Sequence, residues 1–171
     1  MKKILVLLLA FTSTAFGASV ERPSQKYPDQ AVNNYSWLTH YDRQNLSISL
    51  NENATRFISE SEVERYFKLK LRNFIRDIKV IKSAEDLNYN YVDIQLELFK
   101  YNDKTKINYG LLSLKLYPSV MWEKGKPEPY NLTMAIAGSE AQLNSTVKET
   151  LDMMVEVLAE DYYFVLDTKA E

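Results

Sequence analysis

The chain has 171 residues, a formal net charge of -2 and no cysteine. That length fits one domain able to bury its own core, and the lack of cysteine excludes disulfides, thiolate metal sites, a cysteine nucleophile and a lipid-bearing cysteine. With a single histidine and four glycines, a histidine-based metal site, a Ser-His-Asp triad or a phosphate-cradling loop lacks its parts, so neither a catalytic motif nor a cofactor is expected.

The chain opens Met1-Lys2-Lys3, runs apolar from Ile4 to Phe16, and places small residues at Ala15 and Gly17. That pattern predicts a secretory signal peptide over 1–17. The apolar run is shorter than the roughly 20 residues that span a bilayer, so the chain is not expected to span a membrane once the signal is removed. The short Lys-Lys start suits a bacterial exporter, which gives the periplasm or the extracellular space as the expected location. Four Asn-x-Ser/Thr sequons, at Asn45, Asn53, Asn131 and Asn144, exceed chance only mildly and do not overturn it.

From 18 to 43 no period is sustained, and Pro23, Pro28, Asn33 and Asn34 break any regular element. This is expected to be an irregular lead-in, in which Trp37 and Leu38 either pin the segment to the domain or meet a partner. Asn45 to Leu50 then alternates Leu46, Ile48 and Leu50 against polar residues, which predicts a strand, ended by Asn51-Glu52-Asn53. Ser59-Glu60-Ser61-Glu62 has the form of a capping box, and Val63, Phe67, Leu71 and Phe74 follow at helical spacing, predicting a helix from Glu60 to Arg76. The β-branched Ile78, Val80 and Ile81 favour a short strand after it.

Tyr91 to Phe99 alternates with period two, placing Val92, Ile94, Leu96 and Leu98 on one face and Asp93, Gln95 and Glu97 on the other. A polar turn at Asn102 to Thr105 separates it from Lys106 to Tyr117, where Leu112, Leu114 and Leu116 alternate with Leu111, Ser113 and Lys115, so the two runs read as a hairpin. A lone hairpin is marginal in water, so other elements must cover its apolar face. A long loop from 118 to 129, a strand from Tyr130 to Ala137, a second capping box at Ser139 to Gln142 and a helix ending near Leu166 complete the chain. The order predicts an α+β fold over 44–168: a two-layer sandwich whose antiparallel or mixed sheet of four or five strands carries two helices on one face.

Three surfaces are candidates for function. Val120, Met121 and Trp122 are consecutive apolar residues in a loop of Pro, Gly and charges, and with Trp37, Tyr91 and Tyr109 they form the candidate partner-binding set. The first long helix and its sequel are basic through Arg65, Lys68, Arg72, Arg76 and Lys79, a candidate anion-binding stripe, while the second carries Glu149, Asp152, Glu156, Glu160 and Asp161. Asp93 and Glu97 share a strand face but stand roughly 13 Å apart at the usual rise per residue, too far for a glycosidase pair. The expectation is an exported binding or accessory protein whose partner is another envelope protein or a cell-wall component, not nucleic acid. A carboxylate-dependent glycan hydrolase and an anionic-lipid or polymer binder are the alternatives.

Overall fold

The computed structural model describes residues 34–81, 88–102, 104–119 and 128–169. A 3-10 turn (Ser36–Thr39) leads into strand β1 (Arg43–Leu50), a short helix α1 (Glu52–Thr55), helix α2 (Glu60–Phe74), strands β2 (Lys79–Ile81), β3 (Asn90–Lys100), β4 (Ile107–Pro118) and β5 (Tyr130–Ser139), and helix α3 (Leu143–Lys169). The strands form one mixed sheet in the order β2-β1-β3-β4-β5. β1 is parallel to both neighbours, while β3, β4 and β5 pair antiparallel. β1 and β2 are parallel because the helical connection through α1 and α2 returns the chain to the same end of the sheet, whereas the β3–β4 turn folds the chain straight back.

The expected α+β architecture is present. Period-two residues set the inner face: Leu46, Ile48 and Leu50 stand in register with Val92, Ile94 and Leu96, and these oppose Leu116, Leu114 and Leu112. α2 contributes Val63, Phe67 and Leu71, and α3 contributes Leu143, Val147, Leu151 and Met154, to one core. Burying one such side chain contributes roughly 1.5–3 kcal/mol, and close packing of the two layers is what holds the sheet to its helices. Trp37 and Leu38 belong to this core at 2% and 1% exposed. Trp37, a candidate contact residue, is therefore spent on attaching the segment before β1 and offers no outer surface.

Local chemistry fixes the junctions. The Asn51 side chain accepts from the Ala54 amide to cap α1, accepts from the Leu98 amide and donates to the Leu98 carbonyl. One residue thus ends β1, starts a helix and ties both to β3. Ser59 caps α2 by accepting from the Glu62 amide at 3.2 Å. The second expected capping box does not form as such. β5 stays paired as far as Ser139, opposite Ile107, and the Glu140 amide donates to Lys106 carbonyl at 3.0 Å. The ladder holds Ser139, its hydroxyl donates to the Gln142 side chain, and α3 begins only at Leu143. Phe74 departs from expectation as well. It ends α2 at 38% exposed, and the next residue, Ile75, is the one that enters the core, at 2% exposed.

Candidate functional site: the open face of the sheet

Among the described residues helices cover one face of the sheet, and the strand registers order the other face into rows. At one end Phe99, Tyr109 and Ala137 lie side by side, followed by Glu97, Leu111 and Ala135. Next come Ser49, Gln95, Ser113 and Thr133, then Ser47, Asp93, Lys115 and Asn131. Asn45, Tyr91 and Tyr117 close the far end. The face is therefore apolar at one end, polar across its middle and aromatic at the other.

The polar middle satisfies itself. Gln95 donates to the Asp93 carboxylate at 2.6 Å, Ser113 and Thr133 share a hydrogen bond at 3.1 Å, and Asp93 stands opposite Lys115 in the ladder. Cross-strand pairs of this kind stabilise a sheet by fractions of a kcal/mol and need no ligand. The apolar end differs in kind. Phe99, Tyr109 and Leu111 are each 48% exposed, Ile107 is 47% exposed and Tyr101, just past β3, is 67% exposed. Phe99 and Tyr109 lean together with ring centroids 6.0 Å apart, so they present one continuous surface. Aromatic and aliphatic groups gathered on one rigid strand face are the composition of an interface centre.

Of the residues singled out by sequence, Tyr109 lies within this patch, whereas Tyr91 sits at the opposite end, where it accepts a hydrogen bond from the Tyr89 hydroxyl at 2.8 Å. That bond, with burial behind it, raises the Tyr91 phenol above its ordinary value. Val120, Met121 and Trp122 lie outside the described residues, as does the signal segment. Phe99 and Leu111 complete the patch that Tyr109 marks. The available signal was parity, since Leu111 is a leucine on the polar side of an alternating strand.

The basic stripe divides. Lys68 pairs with Glu64 at 2.7 Å and Lys79 with Asp42 at 3.5 Å, while Arg65, Arg72 and Arg76 stand exposed. Between α2 and α3 runs a polar seam. Tyr66 hydroxyl and Lys70 both donate to Asp152 at 2.8 Å, and Lys148 donates to Glu62 at 2.6 Å. The hydrogen bond from Lys148 holds the Glu62 carboxyl below its ordinary value, and burial followed by the Asp152 contact raises the Tyr66 phenol. The part of the basic character nearest α3 is thus used to join the two helices.

Beneath the helices, Leu38, Phe67, Leu71, Ile75, Leu158 and Tyr162 line a cavity of about 10 Å³ together with Gln44, room for about one water. Among the described residues no group of three His, Asp or Glu side chains is placed to hold a metal ion, and no helix is long and apolar enough to cross a membrane.

No protein-family model matches the chain, and no curated protein does. Several solved structures resemble it distantly. A minor lipoprotein from Acinetobacter baumannii aligns with a TM-score of 0.41 at 11% identity, covering 71% of this chain and 90% of that one. The PelC dodecamer from Paraburkholderia phytofirmans aligns with a TM-score of 0.45 at 16% identity over 70% and 88% of the two chains. Rare lipoprotein B from Shewanella oneidensis gives 0.39 at 12% identity over 74% and 98%. Each likeness is too distant to carry an argument about this chain.

Proposed function

We propose that this chain is an exported, non-enzymatic accessory protein of the bacterial envelope, and that it contacts a macromolecular partner through the apolar end of its open sheet face. The observation that carries the reading is the patch of Phe99, Tyr109 and Leu111, each 48% exposed on one rigid face. A solvated sheet gains nothing from apolar side chains at these positions, whereas a partner that covers them gains their full burial. The hydrophobic start of the chain supplies the export route, and the partner is a protein or cell-wall component of the compartment it reaches.

A photo-crosslinking residue placed at Leu111 in living cells tests this. It should give a discrete adduct heavier than two copies of the chain, and Phe99→Ala with Tyr109→Ala should remove that adduct while the protein stays folded. Should Leu111 give no adduct while Asp93→Asn or Glu97→Gln abolishes turnover of a glycan by the folded protein, the open face is a catalytic surface and the binding reading is wrong.

A further inference from the structure

The outer surface of the helical layer carries two lines of exposed residues that match each other position by position. On α2 the line is Arg65, Leu69, Arg72; on α3 it is Glu149, Met153, Glu156. Both repeat at steps of four and three, so each keeps to one side of its helix. On both helices that side lies opposite the core residues Val63, Phe67 and Leu71 or Val147, Leu151 and Met154. Leu69 and Met153 are 53% and 41% exposed, large apolar groups at the centre of otherwise charged lines.

The heights of the two lines along the helices are fixed by contacts within the chain. α2 and α3 run side by side in the same direction, because Glu62 meets Asn144 and Lys148, Tyr66 and Lys70 meet Asp152, and Tyr163 hydroxyl reaches the Phe74 carbonyl. The four side-chain contacts join residues 82 or 86 positions apart. Arg65 and Glu149, Leu69 and Met153, and Arg72 and Glu156 are each 84 positions apart. Each member of one line therefore stands level with its counterpart on the other.

We propose that a second copy of the chain docks on this helical layer about a twofold axis parallel to α2 and α3. Rotation about such an axis preserves height and exchanges left for right, so it sets α2 of one copy over α3 of the other. Arg65 then meets Glu149, Leu69 meets Met153 and Arg72 meets Glu156, each contact occurring twice, as a self-complementary interface requires. Other arrangements are disfavoured by charge: a twofold axis across the helices would bring arginine to arginine and glutamate to glutamate. Arg76 and Glu160 share the same offset just beyond the end of α2. The association depends on opposite charges at a surface, so salt weakens it. The dimer turns the two open sheet faces outward, which makes the chain bivalent toward whatever covers Phe99, Tyr109 and Leu111.

Sedimentation velocity on the purified chain across a concentration series tests the proposal. The expected result is a dimer at low salt that dissociates in molar salt. Arg72→Glu and Glu156→Arg should each weaken dimerisation at least tenfold, whereas an equal mixture of the two variants, and the double variant in one chain, should recover it. Circular dichroism melts establish that each variant is folded; if a reversal is not, Arg72→Gln and Glu156→Gln take its place and should weaken the dimer in the same direction. The proposal is overturned by a monomer at every concentration and salt, by a dimer indifferent to both reversals, or by a mixture that fails to recover. A monomer that binds phosphatidylglycerol vesicles through Arg72 would also overturn it and assign the stripe to a membrane surface instead.

Discussion

The two faces of β3 are built from one alternating sequence, yet they do different things. Val92, Ile94, Leu96 and Leu98 are at most 1% exposed beneath the helices, while Tyr91 and Phe99 on the other face are 42% and 48% exposed. The inner row is uniformly aliphatic, as close packing against two helices demands. The outer row changes character along its length, from tyrosine through Asp93 and Gln95 to phenylalanine. Packing alone has no use for that gradient, so the inner face accounts for the fold and the outer one is where the proposed contact lies. Loss of an inner side chain should appear as instability, and loss of an outer one as lost binding.

The largest expected effect is at Phe67, fully buried at 0% exposed. Phe67→Ala should cost about 3–5 kcal/mol, read as a fall in urea midpoint with little change in slope. Phe74→Ala, at the half-exposed end of the same helix, should cost well under half of that; equal losses would mean that the Phe74 ring is packed as closely as that of Phe67. Leu96→Ala and Leu114→Ala should each cost about 2–5 kcal/mol in the same measurement, and values near zero would remove the hairpin from the centre of the domain.

Gly110 sharpens the contrast, since it stands opposite Leu98 in the β3–β4 ladder with no room beside the β3 backbone. A Cβ there would overlap the Glu97 carbonyl oxygen and lie 2.9 Å from the Leu98 Cα. Backbone, unlike a side chain, has no alternative rotamer, so Gly110→Ala should destabilise by about 1–3 kcal/mol or more. Substituting neighbouring Leu111→Ala, on the outer face, should change the melt far less.

The smallest expected effect is on the helix seam. Lys148 lowers the Glu62 pKa from an ordinary value of 4.5, so the folded state holds its proton less tightly than the unfolded chain. The resulting stability is fully present above that ordinary value and is lost as pH falls through the lower folded value. In Lys148→Met the acid limb of a stability-against-pH curve should flatten slightly below the ordinary Glu62 value of 4.5, with little change in the packing of the helices. An unchanged limb would show that this part-buried pair contributes nothing.

Much of this architecture was legible in the sequence because period-two alternation from Tyr91 to Tyr117 and helical spacing from Val63 to Leu71 each report burial directly. Strand order was not. Nothing in the residues of β1 says that β2 and β3 lie on either side of it, since strand order is decided by the paths of the connections and not by the strand's own alternation. The start of α3 was misplaced because a local capping signal at Ser139 lost to the β4–β5 ladder, and Phe74 because helical spacing cannot tell that α2 ends there and that the extended Ile75 turns into the core instead. The candidate patch was half legible. Tyr109 stood out as an aromatic, but its union with Phe99 and Leu111 depends on the register that pairs Phe99 with Tyr109 and Glu97 with Leu111. The level match of α2 with α3 likewise required the observed seam.

The division of labour between the faces is tested most directly by the melting temperature of a Tyr109→Ser/Leu111→Ser double variant beside that of Leu114→Ala. If the apolar end is held open for a partner, the double variant should melt within about 3 °C of the parent, as surface substitutions do, while Leu114→Ala should fall by roughly 5–15 °C. A fall in the double variant as large as that of Leu114→Ala would show that the protein itself relies on this end of the sheet, and would contradict its assignment as a contact surface.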